Sequence, residues 1–299
     1  MAETGSSQAS ISRKLQIGLV LNTGFTIFEF IIGFLSGSLA LVSDASHNLT
    51  DSVALVVAFF ANKIAARPAN LQKTYGYGRA SILAALLNAL ILVTLATYIF
   101  YGAYQRFQNP EPVEGGLVMI VAFVGILINA GVAFTFSKDR EDLALRSAFL
   151  SMALDALASV GALLAGLIIL LTGQTIVDPF ISVLIGIMLL FSARGVINDA
   201  LHVLLEGVPK GTDIQKVKQA VLDTPGVKGV DDLHMWAISS QYAALSCHIF
   251  LATSDMAQSV DLKRRLKDML SAQFCVEHAT IEMEYTDGPH ESERLDEGV

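Results

Sequence analysis

Six apolar runs, each near the ~20 residues needed to cross a bilayer, constrain this chain more than any other feature. They fall at about 17–38, 41–65, 80–104, 117–136, 147–172 and 179–203. In lipid a backbone must satisfy its own polar groups, so runs of this length are expected to be helices. At 53% hydrophobic and 16% charged, the chain is too apolar for an ordinary soluble domain. The basic residues between the runs are one-sided. Arg13, Lys14, Lys63, Arg67, Lys73, Arg79, Lys138, Arg140 and Arg146 lie on one side, and Arg106 alone on the other. That bias predicts a cytoplasmic N-terminus, and an even number of spans returns the C-terminus to the same side. Residues 1–13 are small and polar and are expected to be a disordered tail. The first run has spanning length, so no cleavable signal peptide is expected.

Beyond Val208 and Pro209 the pattern changes. Helical spacing over 213–223 is followed by strand-like stretches at 227–237 and 242–251. A charged amphipathic helix over 260–272 and an alternating strand over 277–285 complete the order αββαβ. This order predicts two helices on one face of a small sheet. The fold class is therefore an α-helical membrane domain over 14–207, a C-terminal cytoplasmic α+β domain of ferredoxin-like order over 208–285, and an acidic tail over 286–299. A net charge of −8 argues against nucleic acid as a partner. Cys247 and Cys275 both fall in the soluble part, where reduced thiols fit better than a disulfide framework.

His47 and Asp51 are four apart in the second run, so they share a helix face, and Asp44 lies on the same face. Ser151 and Asp155 repeat that spacing in the fifth run. Ionisable residues inside a span are costly and mark ion or proton pathways. If the second and fifth helices pack antiparallel, His47, Asp51 and Asp155 meet. An imidazole with two carboxylates suits Zn²⁺, with related divalent ions possible. The bland alternative is that each acid is bonded structurally or sits near a helix end. Asp44 is either an orienter of a ligand or a helix cap. Glu29 should face the bundle. Asn22, Asn88, Asn129 and Asp178 should make interhelical hydrogen bonds. Gly33, Gly37, Gly161 and Gly166 should allow close helix packing. In the soluble part His234, His248 and His278 accompany Glu282 and Glu284, with His234 and His248 on adjacent strands. Surface histidines are the plain alternative there. No His-x-x-x-His pair and no Gly-x-Ser-x-Gly turn suggests an intramembrane enzyme.

Several stretches together carry a resemblance. "SLALVSDASHNLTDSVAL" is similar to the second transmembrane helix of the cation diffusion facilitator family, and "TYGYGRASILAALLNAL" to the entry of its third. "LALRSAFLSMALDALASVGALLAG" resembles the fifth helix and "DPFISVLIG" the sixth. "DLHMWAISSQYAALSCHI" and "EHATIEME" resemble the cytoplasmic domain. The resemblance covers about residues 14 to 285. It implies a homodimeric exporter of divalent metal, usually zinc, in exchange for protons. The compact size and the absence of a His-rich loop between the fourth and fifth runs suggest a prokaryote, and so a bacterial inner membrane. The family's transport site maps onto His47, Asp51, Ser151 and Asp155. Its cytoplasmic metal ligands map onto His234, His248, His278 and Glu284. One position departs: zinc-type members usually carry His where this chain has Ser151, and a hydroxyl is a poor Zn²⁺ ligand. Three explanations stand. The site uses three protein ligands plus water; or the metal preference has moved toward a harder, oxygen-liking ion such as Mn²⁺ or Fe²⁺; or the site is crippled, naturally or by engineering, and the chain is a metal-sensing or regulatory member. Co²⁺ and Cd²⁺ are further possible ions in place of Zn²⁺.

Overall fold

The computed structural model describes residues 20–136, 143–239, 242–251 and 256–285. The tails expected at 1–13 and 286–299, and the basic residues Arg13, Lys14, Lys138 and Arg140, lie outside them. Six apolar helices come first: α1 Val20–Ser36, α2 Leu39–Ala65, α3 Ala80–Gln108, α4 Gly115–Phe136, α5 Leu143–Thr172 and α6 Val177–Leu204. Five are long and apolar enough to cross a membrane, and α1 is a sixth, shorter apolar helix. Their outer faces carry large apolar side chains such as Phe59, Phe134 and Phe191, as a lipid-facing surface requires. The described residues divide into two units, one of those up to Val57 with those of Leu87–Val196 and the other of Ala58–Leu86 with those from Ile197 onward.

Within the first unit the helix ends are fixed by specific groups. Gly37 breaks α1 from α2 with φ +68°, and a β-carbon there would lie 2.7 Å from the Pro112 carbonyl. Only glycine takes that backbone at no steric cost. The first turn of α2 is capped by a foreign side chain, Asp178 of α6. Its carboxylate accepts from the Ser38 hydroxyl at 2.5 Å and from the Leu39 and Ala40 amides at 2.7 and 3.3 Å. Arg106 of α3 donates to Asp178 at 3.1 Å and to the Gly37 carbonyl at 2.5 Å. Helices α4 and α5 pack backbone to backbone. A β-carbon on Gly166 would sit 2.8 Å from the Met119 nitrogen, and one on Gly115 2.7 Å from the Gly166 carbonyl. Gly161 is different: its neighbours would be at ordinary contact distance, so close packing does not depend on it.

The second unit contains α7 Ile214–Leu222, β1 Val227–Ala237, β2 Ala243–Leu251, α8 Met256–Phe274 and β3 Val276–Glu284. The strands form one sheet in the order β1-β2-β3, antiparallel between β1 and β2 and parallel between β2 and β3. A parallel pair needs a crossover, and α8 supplies it. Asp213 caps α7 by accepting from the Gln215 amide. Helices α7 and α8 cover one face of the sheet. Val217, Val221, Leu262, Leu266 and Leu270 pack there against Leu245, Cys247, Ile249 and Ile281. By the period of two, Ser246, His248, Glu282 and Glu284 are left on the opposite face.

Candidate metal centres

The first candidate is in the membrane helices. His47 and Asp51 share a face of α2, with Nδ1 of His47 3.9 Å from Oδ1 of Asp51. That ring nitrogen is buried and has no hydrogen-bond partner. Asp155 of α5 is buried and lies within electrostatic reach of Asp44 and Asp51. The serine at 151 sits on α5, one turn before Asp155, but its side chain is outside the described ones. Asp44 is 1% exposed and does not cap α2, which starts five residues earlier and is capped by Asp178. Thr23 and Ser52 join α1 to α2 at 3.4 Å. Asn22 and Asn129 are buried; both side-chain amide atoms of Asn129 lack partners, so its expected interhelical bond is not made, and the Asn22 side-chain oxygen also lacks one. Asp178 does make them, with Ser38 and Arg106.

The second candidate lies on the open face of the sheet. His248, Glu282 and Glu284 place one donor atom each within 4.8 Å of one another, the one such trio of His, Cys, Asp or Glu among the described residues. His248 Nδ1 is 2.8 Å from Glu284 Oε1, and Nε2 is 3.7 Å from both Glu282 Oε2 and Asp232 Oδ2. The register explains the meeting: His248 pairs with Glu282, and Phe250 with Glu284. The hydrogen bond with Glu284 raises the His248 pKa above its ordinary value. Burial opposes this, and the charges of Glu282, Glu284 and Asp232 add to it. The donor set is imidazole and carboxylate, one that suits zinc and similar divalent ions.

His234 and His278 stand apart from that trio. His234 Nε2 is 2.6 Å from Oδ1 of Asp232, so Asp232 lies between His234 and His248. A register shift between Asp231 and His234, with Asp232 at φ +49°, makes this possible. His278 pairs with Ala244, four residues along β3 from Glu282, or about 13 Å at strand spacing. Its ring stacks edge-on against Tyr75 at 5.4 Å. The trio therefore contains Glu282, which the ligand mapping omits, and lacks His278, which it includes. Asp232 is a further acid that periodicity gave no reason to single out. Cys247 points into the core beneath this face. Burial, helped by the charge of Asp232, pushes its thiol up to about 12, and its place in the core sets it apart from the trio. Cys275 is exposed.

The family model of the cation efflux transmembrane domain matches residues 15–205, and that of the cation efflux protein cytoplasmic domain matches residues 209–286. The chain belongs to the cation diffusion facilitator family. Members of known name agree over nearly the whole chain. The cation efflux system protein CzcD of Alcaligenes sp. is 41% identical over 273 residues, 91% of this chain and 86% of that protein. The cadmium, cobalt and zinc/H(+)-K(+) antiporter of Bacillus subtilis is 36% identical, covering 93% and 90%. The zinc transporter ZitB of Escherichia coli is 36% identical, covering 96% and 92%. Cation diffusion facilitators are membrane transporters, and this one is an integral membrane protein with a small α+β domain after its last apolar helix.

Proposed function

We propose that the chain exports a divalent metal, zinc first among the candidates, and takes up protons in exchange. The observation that carries this is the buried, unpartnered Nδ1 of His47 beside Asp51, with the buried Asp155 on α5 in reach of the same helix face. An apolar span has no reason to hold that set without a cargo. Binding requires a neutral imidazole and ionised carboxylates, so metal and protons compete for His47, Asp51 and Asp155. Metal enters from the cytosol, and protons arriving on the far side release it. His47 is the ligand whose ordinary pKa lies nearest neutrality. Ser151 contributes at most a weak ligand, and a water completes the shell.

In the same reading the domain beyond residue 208 is cytoplasmic and joins two copies of the chain. His248, Glu282 and Glu284 hold a resident metal there, with Asp232 linking in His234; in a dimer His278 joins a site of its own. The membrane is the bacterial inner membrane, with both termini in the cytosol. Names of the relatives support efflux of zinc, cadmium or cobalt and a proton partner.

A regulatory reading is kept because the cytoplasmic trio is drawn together, whereas the membrane set forms no comparably close group among the described residues. Uptake of Zn²⁺, Co²⁺, Cd²⁺, Mn²⁺ and Fe²⁺ into proteoliposomes under a pH gradient separates the two. Export predicts flux that is lost in Asp51→Ala and Asp155→Ala. If both variants match the parent chain, the proposed transport site is wrong. If the purified chain moves none of the five metals but binds zinc on its soluble domain, the regulatory reading holds.

A further inference from the structure

Glu29, near the middle of α1, has no exposed surface, and neither of its carboxyl oxygens has a hydrogen-bond partner. It faces Asp44 of α2, whose two oxygens are equally buried and unpartnered. Asp44 in turn faces Ser159 of α5, and the Ser159 hydroxyl also has no partner. One turn beyond Asp44 the Asn48 amide nitrogen is buried and unpartnered as well. Among the described residues no cation pairs with Glu29 or Asp44. The charged group they share is Asp155, in electrostatic reach of both. Asp51 lies beyond it, toward His47. Helix α4 brings no charge, since its sequence has none, and its Gly125 lies against Phe25 and Ser159.

Ionised carboxylates only accept hydrogen bonds. Two of them turned toward each other in a dry apolar span repel, and the Ser159 hydroxyl is placed to donate to Asp44 but not to Glu29, so they cannot both be ionised. One hydrogen between them satisfies both.

We infer that Glu29 and Asp44 form a proton site, in which Glu29 carries a proton that Asp44 accepts as a hydrogen bond, separate from the metal ligands. Asp155 connects the two sites. A divalent ion on Asp155 adds positive charge beside the pair and favours loss of the proton to water; return of the proton favours release of the ion. The exchange is then coupled through charge as well as through shared ligands. This rests on the proposed metal–proton exchange, but the site itself can be read without transport.

The test is infrared difference spectroscopy on the full chain in lipid, free of metal and then with Zn²⁺. A neutral buried carboxyl gives a carbonyl band that shifts in deuterium oxide. The parent chain should show that band, weakened by Zn²⁺; Glu29→Gln should lose it, and Asp44→Asn, which removes the acceptor, should shift its frequency. Each replacement keeps size and hydrogen-bonding ability, so folding is expected to survive, and the thermal midpoint in detergent checks it. Glu29→Gln should also lose uptake driven by a pH gradient while keeping Zn²⁺/Zn²⁺ exchange at equal pH. A band unchanged in both folded variants overturns the proposal. So does a drop of one bound Zn²⁺ per chain in Glu29→Gln, which would make this a metal site. If the parent chain moves no metal yet the band behaves as expected, the proton site stands and the exchange reading fails.

Discussion

The Asp178 carboxylate on α6 caps a helix other than its own: it accepts the Leu39 amide at the start of α2 at 2.7 Å. It also holds Arg106 of α3, so three helix ends meet on one buried side chain. Replacing a helix cap costs about 1 kcal/mol; breaking a buried ion pair costs about 3–5 kcal/mol, reduced here because Glu111 still lies 3.3 Å from Arg106. Asp178→Ala should therefore lower the thermal midpoint in detergent far more than a surface change does. Asp178→Ala combined with Arg106→Gln should be less damaging than the two single losses added together, and a double-mutant cycle measures the difference.

At Gly166 the limit is space rather than charge. A β-carbon there would meet the Met119 nitrogen and the Gly115 carbonyl at 2.8 and 2.9 Å, both backbone atoms that cannot turn aside. Gly166→Ala should destabilise by about 1–3 kcal/mol, the usual range for overpacking. Gly161→Ala should be nearly neutral, because its neighbours lie at 3.7 Å or beyond. Comparing the two unfolding curves checks the pair.

The soluble metal site should bind more tightly as pH rises. His248 must be neutral to ligate, and Glu284 raises its pKa, so protons compete up to a higher pH than for a free imidazole. The metal-free domain has the opposite dependence. A raised His pKa contributes stability that is fully present below the unfolded value and is lost as pH rises through the folded one. Zinc titrations across neutral pH should show affinity increasing with pH, with a smaller slope in Glu284→Gln. The charge pair is partly exposed, so its effect on stability is small.

The two thiols should separate cleanly. Cys275 is exposed, whereas Cys247 is buried in the core with its thiol held at about 12. A thiol reagent at neutral pH should label Cys275 at once and Cys247 only on unfolding. Labelling Cys275→Ser in native conditions reads this directly; rapid modification there would place Cys247 outside the core.

Much of the architecture was legible because hydrophobic period reports it. The spans lie within a few residues of the apolar runs, and β1 covers the stretch that reads as a strand, Val227–Ala237. Alternation put Glu282 and Glu284 on one face. What period cannot report is contact between distant segments. Ser38 and Asp178 are 140 residues apart, and nothing local in either names the other. Asp232 escaped for a different reason: it sits in a register shift with positive φ, where counting by twos fails. Asn22 and Asn129 were expected to bond because buried amides do, and their orphaned atoms set them apart from Asp178.

Touching backbones have consequences for motion as well as for packing. Where Gly115 and Gly166 meet, no side chains lie between α4 and α5 to act as a bearing on which one could slide past the other. Such close contact favours α4 and α5 moving together, as a single double-width strut. On that footing a change in the gap between Asp155 and the His47–Asp51 pair would swing the whole strut, or leave it still and tilt α2.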